Sequence, residues 1–195
     1  MGNRLSKIVT KTGDSGTTGI AGNIRLEKYH PRIETIGLID ELNSLIGIGI
    51  AELQITLANT PSQNGSTLSA LILEWSEIQH ELFNLGGELS MPNNALVTEK
   101  AVIALEEQLI VYNELLSPLK EFILPSGSPL VAKTHYIRAI SRKVERALWA
   151  LNSHDPVNEY SLKYLNRLSD YFFITARILA KITDTPELLW NHHKK

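Results

Sequence analysis

Between Pro31 and about Leu57 the apolar residues recur so densely that few architectures can hold them. Ile33, Ile36, Leu38, Ile39, Leu42, Leu45, Ile46, Ile48 and Ile50 cover almost the whole circumference of a helix. A helix apolar on nearly every side predicts a central, buried element, and Pro31 suits its first position, where a missing N–H costs nothing. Four more segments repeat apolar residues at threes and fours. Leu68, Leu71, Ile72, Trp75, Ile78, Leu82, Leu85 and Leu89 form the second. The third runs from Thr98, a candidate N-cap, to about Leu116, with Pro118 just beyond. Ile137, Ile140, Val144, Leu148 and Leu151 stripe the fourth, which ends near Asn152. The fifth extends from about Glu159 to Ile182 and packs through Leu162, Leu165, Leu168, Phe172 and Leu179.

The connectors are short. Asn59 to Ser69 reads as a loop, Phe122 to Pro129 as a short apolar stretch entering a turn, and Asp155-Pro156 as punctuation. Five helical periods, and no alternating strand pattern of useful length, predict an all-α bundle. Its 195 residues suffice for one domain with a sizeable core. Residues 1–30 form a glycine- and threonine-rich segment of that domain, residues 31–183 the bundle, and residues 184–195 a fraying tail in which His192-His193 is solvated.

Composition removes several functions. There is no cysteine, which excludes disulfides, thiolate metal sites and thiol nucleophiles and fits a reducing cytoplasm. A net charge of −2 gives no overall basic field, so nucleic acid is not an expected partner and any anion site must be local. No apolar run is long enough to span a bilayer, and no secretory leader is evident, so no membrane partner is expected either.

One local anion site is visible on the fourth helix. His135, Arg138, Arg142, Glu145 and Arg146 gather opposite its apolar stripe. The three arginines stand four apart, and each like-charged pair costs an isolated helix about 0.2–0.5 kcal/mol. One glutamate offsets only part of that. Guanidinium forks bind planar anions bidentately and never lose their charge, so such a row suits a polyphosphate. The alternative is a solvated charged face.

Four further stretches carry polar chemistry. Thr10-Lys11-Thr12-Gly13-Asp14-Ser15-Gly16-Thr17-Thr18-Gly19 combines glycines that admit close backbone approach with hydroxyl donors. It is neither a Walker A loop nor a dinucleotide fingerprint, and it could equally be a flexible arm. Asp40 and Asn43 interrupt the apolar central helix; a buried Asp40 would need a partner, and the arginine row offers one. The alternative puts Asp40 at a solvent edge beside Glu41. Asn166 and Asp170, four apart on the last helix, share a face and could reach a ligand or one another. Glu77-Ile78-Gln79-His80 has the Glu-x-x-His spacing of di-iron bundles, but no second copy falls on the predicted helices.

Five of these stretches resemble one family. The Thr10–Gly19 loop, Asp40-Glu41-Leu42-Asn43 with Gly47, and Phe122-Ile123-Leu124-Pro125-Ser126-Gly127-Ser128 are similar to motifs of ATP:cob(I)alamin adenosyltransferases of the PduO type. So are His135-x-x-Arg138-Ala139-x-x-Arg142-x-x-Glu145-Arg146 and Tyr164-Leu165-Asn166-Arg167-Leu168-Ser169-Asp170-Tyr171-Phe172-Phe173. They follow the family's order from about residue 7 to residue 181. Ser15, the Ala21-Gly22-Asn23-Ile24 run and Lys143 depart from the common pattern.

The resemblance implies a five-helix bundle assembled as a homotrimer, with ATP at the subunit boundaries. It assigns Thr10, Lys11, Thr12, Gly13, Thr18, Gly19 and Lys28 to the triphosphate. Arg142, Glu145, Arg146 and Asn166 would complete the nucleotide site from the adjoining subunit, with Arg138 paired to Asp40. Phe122 would lie under the corrin ring and displace the lower axial ligand. The implied reaction is attack of cobalt(I) on C5′ of ATP, giving adenosylcobalamin and inorganic triphosphate. Mg2+ would accompany the nucleotide with no protein ligand assigned, and a reductase and an adenosylcobalamin-dependent acceptor enzyme would be partners. A second class stays open, a helical nucleotide-binding or adaptor protein without chemistry. Such a binder has no use for the Phe122 wedge.

Overall fold

The computed structural model describes residues 9–60, 62–91 and 94–192. A short antiparallel hairpin comes first, β1 (Thr17–Ile20) and β2 (Ile24–Glu27), registered by Thr18 opposite Leu26 and Gly19 opposite Arg25. Five helices follow: α1 (Pro31–Ala58), α2 (Ser62–Ser90), α3 (Glu99–Glu114), α4 (Pro129–Asn152) and α5 (Glu159–Ile182). The predicted all-α bundle is therefore present, with the hairpin as an addition that four-residue strands could not announce. No helix among the described residues is long and apolar enough to cross a membrane.

α1 packs against α2 and α4, α4 also against α5, and α5 carries α3. Pro31 occupies the first turn of α1, and the His30 ring caps it by accepting from the Arg32 N–H at 3.1 Å. Ile39, Leu42 and Ile46 are buried as predicted, and Leu53 with them, but Ile48 and Ile55 are exposed: α1 buries one stripe rather than the nearly whole circumference its sequence predicts, because it packs chiefly against α2 and α4. Three helices meet at Gly49. A Cβ there would lie 2.4 Å from Cζ3 of Trp75 on α2 and 3.0 Å from Cδ1 of Ile137 on α4. Trp75 in turn sets its edge against Phe172 of α5, with centroids 5.2 Å apart. The core is thus closed around one close backbone approach.

Polar ties fix the helix ends. Buried Glu88 accepts from the backbone of Leu96 and Val97, from Asn158 at 2.8 Å and from Ser161 at 2.5 Å, so a single carboxylate joins α2, the following loop and the start of α5. Arg32 pairs with Asp155 and donates to the Leu89 carbonyl at 3.0 Å. Each buried charge is compensated.

Three expectations need correction. Most of the predicted Asn59–Ser69 loop is the first two turns of α2; its Ser, Thr, Gly and Asn are poor helix formers, but Gly65 lies against Leu57 and Asn64 reaches the Ile182 carbonyl. Thr98 holds the N-cap position of α3 without its side chain capping anything. The described part of the tail, residues 184–192, does not fray: Leu124 donates to the Leu188 carbonyl at 2.8 Å and Trp190 to the Phe122 carbonyl at 2.7 Å, a β-bridge centred on Ile123 and Leu189. Buried Arg177 secures that tail through Glu187 at 2.9 Å. His193 lies outside the described residues.

Gly49→Ala is expected to lower stability by about 1–3 kcal/mol, because the added methyl overpacks the α1–α2–α4 junction. Urea unfolding measures this, and an unshifted midpoint would contradict the close approach.

Candidate functional site

α4 is where the chain leaves charge unbalanced. One face of the helix buries Leu130, Val131, Ile137, Ile140, Val144, Leu148 and Leu151. That packing fixes its rotation and forces Arg142 and Arg146 outward, with Arg138 half-buried between core and surface. Of the seven described arginines, Arg32, Arg167 and Arg177 have carboxylate partners and Arg25 has oxygen partners in its own loop. Arg138, Arg142 and Arg146 form no ion pair among the described residues. The Nε of Arg138 is closed off from solvent with no acceptor. Burial, then the Arg142 charge, pushes the Arg138 pKa down, so the pair repels where it stands.

The acids nearby do not relieve this. Glu145 accepts from the Asn166 amide at 2.8 Å, and the Asn166 carbonyl accepts from Arg167 at 2.6 Å. Arg167 is held by Glu106 of α3 at 2.8 Å. This chain from α3 through α5 to α4 fixes the Asn166 amide and occupies Glu145. Asp170 sits close enough to feel Arg167, Arg142 and Glu145, yet burial dominates and raises its pKa. Glu145, on the arginine face of α4, is thus bonded to Asn166 of α5. Glu106 and Arg167 were not foreseen, because nothing in the spacing links α3 to α5.

His135 differs from expectation. It is buried against Phe173 rather than set on the arginine face, with Nδ1 unpartnered. Burial first and Arg138 second lower its pKa, opposed by Glu187. Asp40 differs as well. It is exposed, on a concave surface between α1 and α2 with Phe83 and Gly86, and does not pair with Arg138 of the same chain. At about 100° per residue it falls outside the arc that buries Ile39, Leu42 and Ile46.

The N-terminal residues form a second, separate cluster. Consecutive turns bond Asp14 to the Lys11 carbonyl and Gly16 to the Gly13 carbonyl. Lys11 takes a left-handed φ of 60°, uncommon for a residue with Cβ, and Gly16 one of 86°. The Lys28 amine lies over Gly13, where an added Cβ would meet it at 3.3 Å. Thr10 and Thr12 share a hydroxyl hydrogen bond at 3.0 Å, and Thr18 and Gly19 belong to β1. Arg25 holds the loop shut: its Nη2 donates to the Thr12 carbonyl and to the Thr17 hydroxyl, both at 2.6 Å. That role is invisible until the hairpin register places Arg25 opposite Gly19. The hairpin packs chiefly on itself, and no hydrogen bond or ion pair joins this cluster to the α4 arginines among the described residues.

Phe122 is 77% exposed, a large apolar surface at the entry to α4. Its neighbour is Trp190 of the tail, with ring centroids 6.3 Å apart. Leu188-Leu189-Trp190 was the sequence signal for this pairing, an apolar run in an otherwise polar end. Among the described residues no three His, Asp or Glu side chains converge to hold a metal.

Known proteins place this arrangement. The sequence model of the family described as cobalamin adenosyltransferase matches residues 8–179. A cobalamin adenosyltransferase of Cupriavidus metallidurans is 43% identical over 195 residues, covering 100% of both chains. A corrinoid adenosyltransferase of Bacillus subtilis is 43% identical over 89% of this chain and 86% of its own. Among solved structures, a variant PduO-type ATP:corrinoid adenosyltransferase from Lactobacillus reuteri, complexed with cobalamin and ATP, superposes with a TM-score of 0.83 at 33% identity. The match covers 95% of this chain and 100% of that one. Sequence and fold agree over nearly the whole length, and the chain belongs to the cobalamin adenosyltransferase family.

Proposed function

We propose that this protein transfers the 5′-deoxyadenosyl group of ATP to the cobalt of a reduced corrinoid and releases inorganic triphosphate. The observation that carries this reading is the row Arg138, Arg142 and Arg146, the described arginines left without a partner in the chain. Family membership and relatives that bind ATP and cobalamin support it.

The cobalt(I) electron pair attacks C5′, the C5′–O bond breaks, and the triphosphate leaves with that bond's electrons. Negative charge grows on the leaving group, and donors already in place stabilise it without reorganising. Arg142 and Arg146 supply that field from α4, and Lys11, Thr12, Gly13 and Lys28 from the N-terminal loop. Thr10, Thr18 and Gly19 shape the loop, and Asn166 and Glu145 orient the nucleoside end. No proton moves at the reacting carbon, so no general base is required. Magnesium would ride on the triphosphate oxygens, since the described residues build no site of their own for it.

The two clusters do not meet within one chain, so the site is completed between copies. A homotrimer brings the hairpin of one subunit against α4 of the next. There the exposed Asp40 carboxylate supplies the acceptor that Arg138 lacks. The exposed Phe122, braced by Trp190, offers an apolar face to the corrin in place of a lower axial ligand, which eases reduction of cobalt(II). A cytoplasmic reductase would deliver the electron and an adenosylcobalamin-dependent enzyme would take the product. A non-catalytic nucleotide binder leaves that aromatic face without a purpose.

With ATP, magnesium and chemically reduced cobalamin, the protein is expected to abolish the cobalt(I) absorbance. Phe122→Ala should bind ATP nearly as well and slow turnover at least about tenfold when cobalt(II) is reduced in place. Equal rates for variant and parent would refute the wedge.

Arg25→Ala is expected to raise KM for ATP at least about tenfold while the melting temperature holds, since the hairpin packs mainly on itself. An unchanged KM would remove Arg25 from the loop's support.

A further inference from the structure

We propose a second binding site, for an organic cation with an apolar body, in the cavity between α2, α3 and α5. The cavity holds about 530 Å3, a volume suited to a small molecule. No residue of the arginine face or the hairpin lines it. On α5 it is faced by Tyr164 and Tyr171, whereas Asn166 and Asp170 stand roughly 200° and 240° around the same helix from Tyr164. The inference therefore does not depend on the adenosyl-transfer reading.

The lining is acidic and only partly satisfied. Glu74, Glu77 and Glu81 share one stripe of α2 facing the cavity, and Lys100 is its one cation. Glu74 is fully engaged, accepting from the phenols of Tyr112 at 2.7 Å and Tyr171 at 2.5 Å and from Gln108 at 2.5 Å. Glu81 accepts only from Asn84, at 3.3 Å, and Glu77 accepts from nothing among the described residues. Two carboxylates thus remain open at the mouth, above walls that include Ile78 and Leu105.

An independent observation comes from Tyr164. Its side chain lines the cavity and is 2% exposed, yet its hydroxyl bonds to no protein group among the described residues. The ring is buried but the hydroxyl is not sealed off, so it is a donor that no protein group takes up and that stays available to a ligand. Burial, then Glu81 and Glu77, raises its pKa, so the O–H stays protonated and can donate. A void left by imperfect packing would be apolar and dry; this one presents two open carboxylates and an unused donor over hydrocarbon. An ammonium group between Glu77 and Glu81, with an apolar body against Ile78 and Leu105, answers all of these. An anion is repelled, and a neutral molecule leaves the carboxylates unmatched.

Calorimetric titration of the full chain with phenethylammonium tests this, with 2-phenylethanol and phenylacetate as neutral and anionic counterparts of similar shape. One phenethylammonium should bind per chain, and neither counterpart should. Glu77→Gln combined with Glu81→Gln should weaken binding at least about tenfold. Tyr164→Phe keeps the buried ring and should weaken it less. Glu77→Gln alone, at an exposed position, keeps the test valid should the other variants misfold. No binding of the amine to the parent at millimolar concentration, equal binding of amine and alcohol, or indifference to Glu77→Gln would each overturn the proposal.

Discussion

Like charges one turn apart on a helix repel, and α4 holds three of them with no countercharge of their own. The helix cannot rotate to relieve this, because its opposite face is a continuous strip of core from Leu130 to Leu151. Side-chain rearrangement within the chain cannot relieve it either, since Glu145 is already bonded to Asn166 and Asn166 to Arg167. The other arginines of the bundle and its buried acid are compensated. Arg32, Arg167 and Arg177 each meet a carboxylate, and buried Glu88 meets four donors. Against that background the uncompensated guanidinium row is the feature on which the proposed anion site rests.

The other elements of the proposed site follow from how little the bundle constrains them. A hairpin that packs on itself can present its loop to something other than its own helices, and Arg25 keeps the loop shaped while it does so. The tail works differently. Arg177 and Glu187 fasten it to α5, and strand-like pairing then sets Trp190 beside Phe122. Two exposed aromatic rings at the start of the arginine helix would be a liability on a surface with no ligand. Beside the proposed polyphosphate site they would form an apolar floor for a flat, bulky co-substrate.

Periodicity made the helices legible. Apolar residues at threes and fours placed α1, α5 and the end of α4 almost to the residue, because each buries a wide stripe. It failed where tertiary contact outweighs local preference, as in the first turns of α2, and where structure is short, as in the hairpin. The arginine row and Glu145 could be read as one face from one-turn spacing, whereas spacing joined Asn166 to Asp170 and not to Glu145, its partner in the fold. Asp40 could be found but not its environment: a carboxylate on an apolar helix looks buried in sequence, and only the neighbouring helices decide which arc is covered. His135 shows the reverse error, a polar residue beside arginines that packing takes inside. Glu106, Arg167 and Trp190 act through partners far away in sequence, and Arg25 through a loop that only the hairpin register brings to it; beyond the apolar Leu188–Trp190 run no local pattern announces these pairs.

The central claim is that the unpaired α4 arginines receive a triphosphate shared between copies of the chain. A crystal structure of the protein grown with ATP and magnesium tests it directly. The account predicts triphosphate oxygens bonded to Arg142 and Arg146 of one subunit and to the Lys11–Gly13 loop of another, with Arg138 reaching Asp40 across the boundary. Nucleotide bound within a single chain, or away from α4 with those arginines left in solvent, would contradict it.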